Sequence, residues 1–355
     1  MTVSEASVGR KNNLNFIRLI ASLMVLYGHA FFISHGVNHK GLIGRATNEQ
    51  ELMEGLAVDI FFIISGFLIT RSYDNKKSLW SYVKARFLRI WPLLFVVTIL
   101  CAFVLGPLYN IYTGAGLDDY FSIAVLKFLR NGIFYCTYFD LPGVFLNHYN
   151  VGVNGSLWTL TYEVICYVLV AVSAPLWQKK KGSMPVLFAL LSGVFLCYYY
   201  GDFGGVAFLS STVILRMSRL GLCFLSGSIF YLYGENISFN LRNSIISIVL
   251  IILGCLVGGF DICFALGGAY FIFYLAFQKK LVVSWYDKIG DLSYGVYLLA
   301  FPVQQLVVEF CGIDINFVRT MSSWWNIVIS TIIVLPLAWI CWHLIEKPCL
   351  SLKDK

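Results

Sequence analysis

Ten runs of mostly apolar residues follow one another along this chain, each about as long as the roughly 20 residues a helix needs to cross a bilayer. They occupy approximately 14–35, 53–71, 90–108, 154–177, 184–200, 211–233, 243–260, 262–278, 288–310 and 323–346. Inside hydrocarbon every backbone N–H and C=O must be satisfied within the protein. The expected fold class is therefore all-α, a polytopic bundle of about ten transmembrane helices. The seventh and eighth runs are separated by almost nothing, so a very tight hairpin is expected there.

The composition supports this and excludes a soluble globular domain. The 355 residues are 59% hydrophobic and only 13% charged, with mean hydropathy +0.76. A soluble domain carries about a quarter charged residues. Residues 1–355 thus read as a single membrane domain, with no fused extracytoplasmic domain. The first run holds an internal Arg and lacks a small-x-small cleavage site, so it is not expected to be a signal peptide. The ten cysteines form no CxxC pair and no metal-ligand spacing with His. Most lie in apolar runs and read as small packing residues. Cys136 and Cys311 fall in outer loops, where a bridge is open.

The net charge of +7 sets orientation. With the N-terminus in the cytoplasm, eighteen Lys and Arg lie in or beside inner segments. Lys40, Arg45, Lys127, Arg130 and Arg319 are the five on outer ones. The positive-inside rule then places both termini in the cytoplasm. The excess charge meets anionic lipid, so nucleic acid is not an expected partner. The longest piece between spans is the outer segment 109–153. It contains a stretch with helical periodicity, "DDYFSIAVLKFLRNGIFY", and the aromatic, Asn- and Gly-rich "FDLPGVFLNHYNVGVNG".

Charged residues inside such spans are functional candidates. Arg18 and His29 in "NFIRLIASLMVLYGHA" are eleven positions apart. They share one helix face, about 16 Å apart along the axis. Glu163 in "NGSLWTLTYEVICY" lies at a depth matching His29 and is expected to orient it, although pairing with Arg216 or Arg219 is the competing reading. Arg86 and Arg89 in "KARFLRIWPLL" stand at the cytoplasmic face, where they attract phosphates. A basic inner mouth, a polar stripe and a deep His–carboxylate pair suit a ligand with an anionic head and a thin reactive arm. Acyl-coenzyme A fits that description. Ser65 in "FFIISGFLIT" reads as a packing residue rather than a nucleophile, because no Gly-x-Ser-x-Gly elbow is present.

The chain resembles the acyltransferase-3 family of integral membrane O-acyltransferases. The likeness rests on "LNFIRLIASLMVLYGHA", "GLAVDIFFIISGFLIT", "RFLRIWPLL", "VNGSLWTLTYEV", "LSYGVYLLAFPVQQ" and "HLIEKP", in that order. It implies that His29 and Glu163 are catalytic and that Arg18, Arg86 and Arg89 hold the acyl-CoA. It implies that Asp59, Asn154, Ser156, Trp158, Thr159 and Tyr162 face the substrates, and that no metal is used. It further implies transfer of an acetyl or short acyl group from cytoplasmic acetyl-CoA, the co-substrate. The acceptor would be a sugar hydroxyl of a surface or lipid-linked polysaccharide, such as O-antigen, at a bacterial inner membrane. Many relatives carry His where this chain has Ala300. The alternative function is a proton-coupled transporter or exporter of a lipid-linked sugar, with Arg18, Asp59, Glu163 and Arg216 as its relay.

Overall fold

The computed structural model describes residues 1–9, 12–36, 41–75, 78–134, 136–179, 182–201 and 212–354. Of the residues that set the orientation, Arg10, Lys11, Lys40, Lys76, Lys77, Lys180, Lys181 and Lys355 lie outside the described ones.

Each apolar run holds a helix. These are α1 (Leu14–His35), α2 (Met53–Asp74), α3 (Leu79–Leu100), α4 (Trp158–Lys179) and α5 (Ser183–Tyr200). They are followed by α6 (Thr212–Leu232), α7 (Leu241–Val257), α8 (Ala269–Phe277), α9 (Ser293–Cys311) and α10 (Ser323–Cys341). Among the described residues, eight helical stretches are long and apolar enough to cross a membrane, and those of α5 and α7 are shorter. Strand is confined, among the described residues, to the hairpin β1 (Ile313–Ile315) and β2 (Val318–Thr320).

Three spans continue through a π turn, α3 through Cys101–Leu105 into Gly106–Tyr112, α8 preceded by Phe264–Gly268, and α10 followed by Trp342–Glu346. The third helix starts at Leu79, well before the expected residue 90, so Arg86 and Arg89 are helical. The tight turn between α7 and the next span is made by Gly258 and Gly259, whose φ of +108° and +77° suit residues without a Cβ. In the outer segment the expected helix is short, Ile123–Leu129, followed by one 3₁₀ turn.

The helices group into two compact units. One comprises Met1–Arg18, Lys40–Leu79 and Ile165–Trp285. Its centre is the crossing of α2 and α6. A Cβ on Gly66 would lie 1.8 Å from the Phe224 carbonyl oxygen, and one on Gly227 would lie 2.0 Å from that of Ile63. Small residues let the two backbones touch, and the Ser228 and Thr70 hydroxyls bond across the contact at 2.8 Å. Gly66, the neighbour of Ser65, thus stands at a close helix contact. Phe67, Phe273 and Phe277 fill the space below.

The other unit comprises Leu19–His39, Trp80–Val164 and Tyr286–Lys355. Here α9 is buried almost throughout and packs on α10, where a Cβ on Gly295 would lie 3.0 Å from Ala338. Residues 150–154 run beside α9 in non-helical form and lead into a 3₁₀ turn. Gln305 donates to the Asn150 and Gly152 carbonyls at 2.6 and 2.7 Å. Further along, Asn154 donates to Leu298 O at 2.9 Å, and the Tyr297 hydroxyl donates to Ser156 O at 2.5 Å. Irregular backbone beside a membrane helix needs such protein partners.

Candidate active site

The pinned segment delivers the start of α4 to His29. Gly155–Leu157 form one 3₁₀ turn that leads into α4. There the Ser156 Oγ stands 3.5 Å from Nδ1 of His29, a long hydrogen bond. The His29 ring lies edge-on to Phe301, 5.2 Å between centroids, and remains partly exposed. Gly155 is required at this point, because a Cβ would meet the Phe301 ring at 2.8 Å. Thr159, the second residue of α4, bonds the Tyr297 hydroxyl at 2.6 Å, and that hydroxyl holds the Ser156 carbonyl. The "NGSLWT" stretch is thus a single piece of scaffolding around the imidazole. Trp158 and Tyr162 pack edge-on at 5.7 Å, with Tyr162 buried.

Glu163 does not make the expected hydrogen bond to His29. Seven residues of helix beyond Ser156 carry it about 10 Å further along α4. Of the two competing partners, Arg216 and Arg219, the second is bound by carboxylates of the first unit.

Arg89 has a duty other than an open anion site. Its guanidinium lies 2.5 Å from Asp291 and 3.2 Å from Glu346, with the rings of Tyr294 and Trp342 at 5.9 and 6.0 Å. Asp291 also accepts from the Ser293 hydroxyl at 2.6 Å, at the start of α9. A guanidinium held by two carboxylates attracts a phosphate weakly, and its fork ties α3, α9 and the end of α10 together. Arg86 lies one turn earlier on the same face of α3 and is half-buried. These partners of Arg89 are 202 and 257 residues away, so no local pattern marked them.

In the first unit Arg18 lies 6.0 Å from the Phe61 ring. Asp59 is fully buried and ion-pairs with Arg219 at 2.9 Å. Glu51 also contacts that guanidinium, and Asp261 meets its Nε at 2.9 Å. The three carboxylates offer oxygens within 4.8 Å of one another, a spacing a metal ion could use, but Arg219 sits among them. Asp59 therefore belongs to a buried charge cluster.

A second imidazole escaped the sequence reading. His148 is buried with Nδ1 2.9 Å from Gln305 Oε1 and Nε2 2.8 Å from Glu309 Oε2. The Tyr109 hydroxyl donates to the same Glu309 oxygen at 3.1 Å. The signal was present as two Gln and a Glu within the apolar ninth run. All ten cysteines, Cys136 and Cys311 included, are free thiols.

The description of one protein family, "Acyltransferase domain", matches residues 11–343. An O-acetyl transferase of Shigella phage Sf6 is 28% identical over 96% of this chain and 97% of its own length. Nodulation protein 10 of Rhizobium leguminosarum bv. viciae is 27% identical over 99% and 96%. No solved structure matches the chain significantly.

Proposed function

The chain belongs to the acyltransferase-3 family and is a multi-pass membrane O-acetyltransferase, and from that membership we propose that it moves an acetyl group from cytoplasmic acetyl-CoA to a sugar hydroxyl of a surface polysaccharide or its lipid-linked precursor. The proposed site is the bacterial inner membrane. The basic inner segments support a donor from the cytoplasm, and the aromatic, Asn-rich outer segment suits a sugar acceptor.

The observation that carries the reading is the hydroxyl of Ser156 against Nδ1 of a partly exposed His29. In a neutral imidazole one nitrogen donates and the other accepts. With Nδ1–H directed at Ser156 Oγ, the Nε2 lone pair is left for a substrate proton. The acceptor O–H then gives its proton to Nε2 as its oxygen attacks the thioester carbonyl. When the C–S bond breaks, the proton passes from the imidazolium to the departing thiolate of coenzyme A. An acetyl-His29 intermediate is the variant of this scheme. Thr159 and Tyr297 act by holding Ser156. Asn154, Trp158 and Tyr162 frame the acceptor side.

Arg86 is assigned the donor's phosphates, with Arg89 fixing the helix that carries it. Arg18, on the same face of α1 as His29, is assigned to positioning the donor. The test is direct. Purified His29→Ala protein should bind coenzyme A and fail to transfer [¹⁴C]acetyl from acetyl-CoA to a glycan acceptor. Wild-type protein that does not bind coenzyme A at all would remove acetyl-CoA as the donor.

A further inference from the structure

Between α3 with its continuation Gly106–Tyr112 and α9 lies an apolar groove with a volume of about 510 Å³. Leu100, Val104 and Leu108 form one wall, and Leu299, Val303 and Leu306 the other. Leu100, Val104, Leu108, Tyr112 and Phe310 are exposed, so the groove opens sideways at the apolar surface of the spans. Its lining extends along α9 from Leu299 to Phe310, roughly 16 Å at 1.5 Å per residue. One leaflet's share of a hydrocarbon core of about 30 Å is of the same length.

The groove is a built feature. The π turn Cys101–Leu105 bulges α3 along its wall, and such turns recur at functional sites. Tyr120 from the outer segment donates to Ala102 O in that turn at 2.6 Å. A Cβ on Gly106 would lie 1.9 Å from the Tyr120 oxygen. Polar groups gather at the end where Tyr112 and Phe310 pack together: Tyr109, a groove residue, bonds Glu309, which meets His148. Pro302 lines the groove and the preceding residue, Phe301, touches His29. Groove and base therefore stand on adjoining faces of α9.

We infer that this groove binds the hydrocarbon chain of a lipid that carries the acceptor sugar, so that the enzyme takes its acceptor from the outer leaflet. The inference rests on the sugar-acceptor reading above. An acetyl donor has no long chain to fill the groove, which leaves the acceptor's carrier as the substrate with one.

The experiment uses purified protein in lipid nanodiscs with [¹⁴C]acetyl-CoA. Methyl, octyl and dodecyl glycosides of one sugar, chosen from a panel, serve as acceptor probes. Wild type should show a KM at least about tenfold lower for the dodecyl than for the methyl glycoside. Val104→Trp and Val303→Trp, which fill the groove, should lose that advantage and keep the methyl-glycoside rate. The retained rate is the check that both variants fold. Chain-length preference that survives in both variants would mean simple partitioning into the bilayer and would overturn the inference. So would variants that change the use of octanoyl-CoA against acetyl-CoA and nothing else. Wild-type protein that acetylates none of the glycosides would instead remove the sugar-acceptor reading itself.

Discussion

The Nε2 of His148 lies 2.8 Å from Oε2 of Glu309, with both side chains withdrawn from solvent. Gln305 commits its amide hydrogens to the Asn150 and Gly152 carbonyls, so its oxygen faces Nδ1 and that nitrogen carries a hydrogen. His148 and Glu309 then meet in one hydrogen bond. The pair ties the outer segment to α9 next to the strip of backbone that leads to Ser156. Glu309→Ala should cost about 3–5 kcal/mol, because it leaves a buried partner unmatched. Replacing both with apolar residues, as in His148→Phe with Glu309→Leu, should cost less than the two single changes summed. Unfolding in detergent, followed for the singles and the double, measures this.

Arg86 and Arg89 should separate cleanly although they are one turn apart. Arg89→Ala should destabilise the protein by about 3–5 kcal/mol, since Asp291 and Glu346 lose their shared cation. Arg89→Lys should restore little, because a point charge cannot fork between two carboxylates. Arg86→Ala should weaken acetyl-CoA affinity, and added salt should weaken that affinity in the wild type. Calorimetry of coenzyme A binding beside thermal unfolding distinguishes the two. Normal donor affinity in Arg86→Ala would remove it from the donor site.

How much of this was readable in advance follows from the range of the interactions. Helix placement was readable because span length and apolarity are local properties. The third helix began eleven residues early because "LWSYVKARF" is too polar to read as a span yet forms a sound helix. His29 stood out as a polar residue in hydrocarbon. Its neighbour did not, because Ser156 is 127 residues away and reaches it through a non-helical segment that hydropathy cannot see. Matching depth suggested Glu163, but depth says nothing about which face of α4 turns to α1. Arg219 gathering Glu51, Asp59 and Asp261 was equally unreadable, since three separate stretches of chain must meet.

The Arg219 cluster should make stability depend on pH. Glu51 precedes α2, and burial pushes its carboxyl up to about 8, with Arg219 opposing. At pH below 4.5 the group is protonated in both states and costs nothing. As pH rises from 4.5 toward 8 the unfolded chain releases the proton and the folded one keeps it, so this contribution to stability is lost. The melting temperature should therefore fall across that window. Glu51→Gln should flatten the fall and match or exceed the wild type near pH 8. An unchanged pH profile in Glu51→Gln would place the proton on another group.

Ser65→Ala should keep most of the activity and the fold. Its neighbour Gly66 already marks this stretch of α2 as a helix contact, with no room for a Cβ. Complete loss of transfer in a folded Ser65→Ala protein would reopen the question of an acyl-serine.

Ser156 carries the sharper version of that question, because it is the serine that stands beside the imidazole. Its hydroxyl can accept from Nδ1–H and hold the tautomer, or donate to Nδ1 and act as a nucleophile. The surroundings favour the first role. Tyr297 holds the Ser156 carbonyl and Phe301 leans on the ring, so the residue is clamped at the start of α4 with 1% exposure. A nucleophile must reach a thioester, whereas His29 is the partly exposed member of the pair. Ser156→Ala should then lower kcat by about 10- to 100-fold, the worth of one buried hydrogen bond, with coenzyme A affinity unchanged. Ser156→Asn, which keeps an acceptor near Nδ1, should recover part of the rate. His29→Ala should lose more, about 10²- to 10⁴-fold. Incubation with acetyl-CoA in the absence of acceptor, followed by peptide mass spectrometry, separates the roles. An acetyl group on Ser156, together with total loss of transfer in Ser156→Ala and no recovery in Ser156→Asn, would make it the nucleophile and His29 its base.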